Sequence, residues 1–302
     1  MRDLKTTDLN LLKALDALLD ERSVTRAAER LNVTQPAMSG MLMRLRDGFA
    51  DPLFVRSQRG IVPTQRALEL AAPLKQILGE IDALLQPVRF DPLAADFTLR
   101  VAATDYALRA VAVPFLAALR VQAPGIRLAL LPLREGELPA QLERGELDLA
   151  LLTPDSSPPE LRARRLFDES YVCVMRADHP AAQAPALSLD VFCALEHALV
   201  SYTGGGFSGV TDAALTQLGR TRRVSLSVQS FLVLPEILRQ SDLVAVLPRR
   251  LVAGLAGLAL REPPLAIPGF TKLLVWHPRS HSDPGQRWLR ELLVERCGGA
   301  AG

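Results

Sequence analysis

The chain has 302 residues, 49% of them hydrophobic, and 35 Lys and Arg against 33 Asp and Glu, enough for two or three domains with real cores. No run of about 18 uncharged apolar residues marks a membrane span, and the polar start from Met1 to Asp8 is not a secretory leader. Three widely spaced cysteines, Cys173, Cys193 and Cys297, argue against a disulfide framework or a zinc site and suit a globular protein of the reducing cytoplasm.

Leu9, Leu11, Leu12, Leu15, Leu18 and Leu19 give a first helix its apolar stripe and read as scaffold. A second helix is predicted to open at Ser23, whose hydroxyl can accept the free N–H groups of the next turn. It carries Ala27, Ala28 and Leu31 at core spacing, and two adjacent alanines let another helix cross closely. Asn32 and Val33 break the pattern. Thr34 then caps a third helix with Pro36 near its first position, where a missing N–H costs nothing.

At about 100° per residue, Met38, Met41, Leu42, Leu45 and Phe49 share one face of the third helix, while Gln35, Pro36, Ser39, Gly40, Met43 and Arg44 share the other. A free face of Gln, Ser and Arg can donate to phosphates and read base edges in a DNA major groove. A surface helix of an ordinary bundle shows the same spacing. Charge favours DNA: from Arg22 to Arg66 eight basic residues stand against three acidic ones, a local net of +5 in a chain whose total is only +2, as a polyanion-binding surface requires.

Asp51-Pro52 ends the third helix. Leu53 to Pro63, with Arg56, Arg59 and Gly60 about a turn, reads as a two-stranded wing whose arginines reach phosphate or minor groove; a solvated basic loop is the alternative. Thr64 caps a long helix that runs to Pro87, bent at Pro73, with apolar positions Leu68, Ala71, Ala72, Leu74, Ile77, Leu78, Ile81, Leu84 and Leu85. They cover more than one stripe, which suggests one face for a partner helix and one for the helix's own domain.

Residues 88 to 96 lack periodicity and read as a hinge. Beyond them strands alternate with helices, the mark of an α/β domain with a largely parallel sheet. Strands are predicted at 97–104, 126–133, 147–153, 170–176, 197–203, 224–228, 243–248 and 271–278, with helices at Asp105 to Val121, Leu138 to Arg144, Thr211 to Leu218 and Pro284 to Cys297.

The run from Asp8 to Ala67 resembles the N-terminal winged helix-turn-helix of LysR-type transcriptional regulators. The resemblance rests on the opening Leu-Leu helix, Ala27-Ala28 with Leu31, Gln35-Pro36-Ala37 with Ser39, Leu45, Pro52-Leu53-Phe54-x-Arg56 and Pro63-Thr64. It departs at Gly40, where the family usually carries a larger side chain that can reach DNA. Further on, Pro124-Gly125, Leu142-x-x-Gly145-x-Leu147-Asp148 and His179-Pro180 look like turns of the same family. The resemblance implies a DNA-binding domain at 1–63, a dimerising linker helix at 64–87, and a type 2 periplasmic-binding-protein-like effector domain at 97–302. Lobe 1 is placed at about 97–167 and 279–302, lobe 2 at about 168–278. It implies double-stranded operator DNA, a homodimer or homotetramer, and RNA polymerase as partners, and a small effector in place of a cofactor. The stretch Thr104-Asp105-Tyr106 and the run from Ser230 to Leu251 look closest to the branch that senses aromatic compounds. The DNA-facing residues expected are Ser23, Arg26, Thr34, Gln35, Pro36, Ser39, Gly40, Met43 and Arg44, with Arg56 and Arg59 from the wing.

Ligands of open α/β sheets sit at the carboxyl ends of strands, against helix starts. Polar and aromatic groups at such ends nominate Thr104, Asp105, Tyr106, Thr153, Ser201, Tyr202, Thr203, Phe207, Gln229 and Phe231. Hydroxyls and free N–H groups there suit a carboxylate, and the rings supply apolar walls. Asp105 would repel an anion if it faced the cleft, so it is either a helix cap or a sign of a ligand that donates. Gly204 to Gly209 fits a dinucleotide glycine pattern, but the acidic residue expected about 20 positions on is missing, and a flexible loop at the cleft mouth fits better. His179, His197, His277 and His281 are scattered, so no catalytic set and no metal site are expected. The competing reading is a cofactor-dependent α/β enzyme with a helix-turn-helix appendage, and the basic segment tells against it.

Overall fold

The structure is a computed structural model that describes residues 8–58, 60–86, 89–134, 136–201 and 204–298. Arg59, Tyr202 and Thr203 of the predicted sites lie outside the described residues. The chain divides into two units, 1–88 and 89–302.

In the first unit α1 (Leu9–Glu21), α2 (Val24–Arg30) and α3 (Gln35–Phe49) form where the periodicity put them. Ser23 Oγ accepts from Arg26 N and Thr34 Oγ1 from Ala37 N, each at 3.4 Å, so the expected residues make the caps. Leu15 and Leu18 of α1, Ala27 and Ala28 of α2, and Met38, Leu42 and Leu45 of α3 close the core. The wing is β1 (Phe54–Ser57) paired antiparallel with β2 (Gly60–Pro63). Gly60 has φ +126°, and a Cβ there would meet the Arg22 carbonyl oxygen at 2.6 Å; that same oxygen accepts from Ile61 N at 3.1 Å. Glycine alone allows so close a seat.

Asp51 sets where the next helix leaves, accepting from Leu53 N at 2.7 Å and Thr64 Oγ1 at 2.8 Å. That helix, α4 (Gln65–Leu85), buries Ala67 and Leu74. The stripe carried by Leu70, Leu74 and Leu78 continues at helical spacing through Ile77, Ile81, Leu84 and Leu85, but Ile77, Leu84 and Leu85 are 48%, 85% and 75% exposed. The first half of α4 packs within its unit; the second half runs out of cover.

The second unit holds β3 (Thr98–Ala103), α5 (Asp105–Ala107), α6 (Val113–Gln122), β4 (Arg127–Pro132), α7 (Leu138–Arg144), β5 (Leu149–Leu152), β6 (Arg162–Glu169), β7 (Tyr171–Arg176), α8 (Leu189–Ala194) and β8 (Glu196–Val200). It continues through α9 (Val210–Gln217), β9 (Arg223–Val228), α10 (Leu234–Arg239), β10 (Val244–Pro248), α11 (Arg249–Val252), β11 (Leu258–Arg261), β12 (Phe270–Trp276) and α12 (Pro284–Cys297). Two five-stranded sheets result, in the orders β4-β3-β5-β12-β6 and β11-β7-β10-β8-β9.

Several expectations need correction. The sheets are mixed, not largely parallel, because β12 runs antiparallel to β5 and β6, and β7 antiparallel to β10 and β11. The chain enters and leaves the second lobe directly, with no crossover helix to restore direction. The strand at 271–278, assigned to lobe 2, belongs to the first sheet, so the return crossing lies in the proline-rich stretch between β11 and β12. There a Cβ on Gly269 would collide with the Glu169 carbonyl oxygen, so the two crossings lie side by side. The helix expected from Asp105 to Val121 is interrupted by a π-helical turn at Leu108–Ala112. Residues 89–96 belong to the second unit, where Phe90 packs on Trp288 at 5.5 Å. The helix after β9 starts at Leu234, so Gln229 and Phe231 stand in the turn before it and not at a helix start. The lobes share one core, with Tyr106, Ala107 and Val111 meeting Leu234, Leu238, Leu251 and Val252. Among the described residues no helix is long and apolar enough to cross a membrane.

Candidate functional site

On α3 the apolar face is consumed by the core, leaving Gln35, Pro36, Ser39 and Arg44 exposed, Gly40 half-buried and Met43 60% exposed. Arg56 on β1 is exposed as well. A Cβ on Gly40 would meet nothing within 4 Å, so packing inside the protein does not demand glycine there. Several of the basic residues are spoken for. Arg46 donates to the Pro52 and Phe54 carbonyls at 2.9 and 3.0 Å. Arg30 pairs with Asp16 and Asp20 at 3.3 and 2.9 Å, and Lys75 reaches Asp20 at 2.7 Å. The Lys75 and Arg30 hydrogen bonds hold the Asp20 carboxyl below its usual range. Arg26 pairs with Glu21 at 3.3 Å, and Arg44 stands 3.9 Å from Asp8. Among the described residues the cationic surface left for DNA is therefore smaller than the sequence charge: Arg56 is exposed on the wing, and Arg44 is 55% exposed beside Asp8.

In the second unit a cavity of ≈ 450 Å³ opens at the ends of β3 and β5, within the range of small-ligand sites. Thr104, Tyr106, Thr153, Asp155, Ser156 and residues Gly269 to Lys272 line it from the first lobe; Tyr171 and Phe231 close it from the second. The chain has only three tyrosines, and two of them are here. The rings of Tyr106 and Phe231, Tyr106 and Phe270, and Tyr171 and Phe270 lie 5.8, 5.6 and 5.8 Å apart. Tyr106 turns its hydroxyl away, donating to Glu169 at 2.5 Å, so it offers the cavity a face; burial first, then Glu169, pushes its phenol up.

Of the predicted effector residues, Thr104, Tyr106, Thr153 and Phe231 meet in this cavity. Thr104 also caps α5, accepting from Ala107 N at 3.4 Å. Asp105 is neither the cap nor a lining group. Its carboxylate accepts from Ser230 Oγ at 2.7 Å and Leu232 N at 3.3 Å, bridging the lobes. Ser201 is buried with its Oγ accepting from Gly206 N at 3.1 Å, Phe207 is 56% exposed, and Gln229 lies against Gly204. The glycine run is fastened, with Gly206 O accepting from Ser227 Oγ at 2.6 Å and Gly209 N donating to Asp212 at 2.8 Å. Missing from the sequence-based set are Tyr171, Phe270 and Lys272. Lys272 is 4% exposed, and burial pushes its ammonium down to about 8.

A winged helix-turn-helix followed by a long helix and a two-lobed α/β unit with a ring-lined cavity is the build of a one-chain transcription regulator. Residues 9–68 match the family described as bacterial regulatory helix-turn-helix protein, lysR family, and residues 96–298 match the LysR substrate binding domain. Over 301 residues the chain is 39% identical to the HTH-type transcriptional activator NagR of a Ralstonia species, spanning 97% of this chain and 98% of that protein. It is 34% identical to the HTH-type transcriptional activator NahR of Pseudomonas putida, with 97% and 98% covered. A solved probable transcriptional regulator from Pseudomonas aeruginosa, 34% identical, superposes with a TM-score of 0.60 over 96% of this chain and 98% of its own. The chain belongs to the LysR family of transcriptional regulators. It is a DNA-binding regulator with a small-molecule effector domain, and the enzyme alternative falls.

Proposed function

We propose that the protein works in the cytoplasm as a homodimer or homotetramer that binds operator DNA through α3 and Arg56 and answers to a small aromatic or carboxylate effector in the second-unit cavity. The cavity's ring walls carry the effector reading, since Tyr106, Tyr171, Phe231 and Phe270 line a space of ≈ 450 Å³, the size of a small-ligand site. The uncovered stripe of Ile77, Leu84 and Leu85 supports self-association through α4. Linkage supplies the mechanism: an effector alters promoter output only if it binds one arrangement of the oligomer better than another. The resemblance adds dyad-symmetric operators, DNA bending relaxed by effector and contact with RNA polymerase. Activation is the expected output, as in the names of NagR and NahR.

A gel-shift titration on duplex DNA from upstream of the protein's own gene tests the DNA half. Gln35→Ala and Arg44→Ala should each weaken specific binding by about 1–3 kcal/mol and leave the fold unchanged. Unaltered affinity in both would remove this face of α3 from the interface.

A further inference from the structure

Resting on the reading of this cavity as the effector site, we infer that Lys272 selects the effector's charge: the ligand is a single aromatic ring bearing a carboxylate, with the carboxylate on Lys272 Nζ and the ring among Tyr106, Phe231 and Phe270.

Lys272 sits in β12 with 4% exposure, in a strand that otherwise reads Phe, Thr, Leu, Leu, Val and Trp. An ammonium there loses its hydration and needs acceptors in return. Among the described residues it has no hydrogen bond or ion pair. Its Nζ lies 5.6 Å from the Tyr106 ring centroid and 5.8 Å from that of Phe270, at the outer reach of cation–π attraction.

Nearby carboxylates are committed elsewhere. Glu169 accepts from the Tyr106 hydroxyl at 2.5 Å, Ser170 N at 2.9 Å and Arg250 N at 3.3 Å. Asp168 is held by Arg165 and by Thr271 Oγ1. Asp155 is at the exposed rim. Desolvation is what lowers the Lys272 ammonium, the mark of a buried cation without its counter-charge.

The unmatched charge and the ring walls share one cavity, so they specify one ligand with both features. Thr104 of the same lining uses its hydroxyl oxygen only as an acceptor, from Ala107 N, and keeps its O–H for a second carboxylate oxygen or a ring substituent, while the Thr153 and Ser156 hydroxyls are bonded to each other at 3.0 Å. A neutral ring would fill the walls and leave the ammonium unmatched. A small inorganic anion would pair it and leave the rings bare.

The test is calorimetry on the full-length protein with benzoate and its three monohydroxy derivatives, each against the matching neutral benzamide. The acids should bind about 10- to 100-fold more tightly than the amides, and Lys272→Met should abolish that preference while Lys272→Arg keeps part of it. Equal binding of acid and amide by the unaltered protein, a comparison that needs no variant, overturns the assignment of Lys272 and leaves the cavity reading standing. A preference for acid that survives in Lys272→Met overturns it too. If neither acids nor amides bind, the cavity reading itself falls and takes this inference with it.

Discussion

Asp105 and Ser230, 125 residues apart, are joined by a 2.7 Å hydrogen bond that ties the first helix of one lobe to the turn after β9 in the other. Leu232 N donates to the same carboxylate oxygen at 3.3 Å, and Phe231 between them walls the cavity. A residue that bridges the lobes is thus next in sequence to Tyr106, so ligand in the cavity and lobe geometry share one short segment. Hydrogen bonds to a charged acceptor contribute about 1.5–3 kcal/mol. Asp105→Ala should therefore speed amide exchange at Leu232 and Val233 by about tenfold or more, read by exchange mass spectrometry. Unchanged protection would mean that the shared apolar core and the 2.9 Å Arg109–Leu251 hydrogen bond set the lobe arrangement without Asp105.

Gly40 offers a stability gain. It lies inside α3 with open space where a Cβ would go, and glycine in a helix costs about 1 kcal/mol relative to alanine. Gly40→Ala should raise the stability of the first unit by that amount in a denaturant titration. If the same variant loses operator affinity in a gel shift, the missing side chain serves close backbone approach to DNA; unchanged affinity assigns Gly40 no role there.

Acid should unsettle the second unit through His197. This ring is fully buried, bonding the Phe192 carbonyl oxygen at 2.8 Å through Nε2 and meeting Arg222 at 3.3 Å through Nδ1. Burial, and to a smaller extent the Arg222 charge, push it from 6.5 down to about 4, although the Phe192 hydrogen bond, and then Asp212 and Glu196, pull the other way. Because the folded value is depressed, the unfolded chain binds the proton first as pH falls from 6.5 to about 4, and stability drops across that window. His197→Gln should melt with a visibly shallower pH dependence there. Identical slopes for the two proteins would exclude His197 as the cause.

Ile77 and Leu84 test self-association. Burying a large aliphatic side chain contributes about 1.5–3 kcal/mol, so Ile77→Glu with Leu84→Glu should convert the assembly to monomer by light scattering at micromolar concentration. Retention of the oligomer would place the dimer contact elsewhere.

Much of the first unit was legible because its signals are local. Ser23 and Thr34 mark caps, Ala27-Ala28 marks a close crossing, and the α3 faces follow from the helical period. The ends of α12 were legible for the same reason, with Asp283 capping and Pro284 in the first turn. Lobe membership was not, because β12 joins the first sheet through hydrogen bonds to residues more than 100 positions away. β6 escaped notice since Arg162, Arg164 and Arg165 hide its alternation, as charges on an edge strand do. Lys272 escaped for a related reason: between Thr271 and Leu273 it reads as the solvent-facing member of a strand, and only the fold turns that position into a cavity. Ser201 and Gln229 stand at strand ends that do not line this cavity, a distinction that the strand-end rule does not make.

The most direct measurement is a nuclease footprint of the full-length protein on duplex DNA from upstream of its gene, with and without benzoate or a hydroxybenzoate that calorimetry shows to bind. The expected result is a dyad-symmetric protected region whose extent or hypersensitive sites change when the acid is added. No protection at low ionic strength, or a footprint indifferent to a bound acid, would contradict regulation through this cavity.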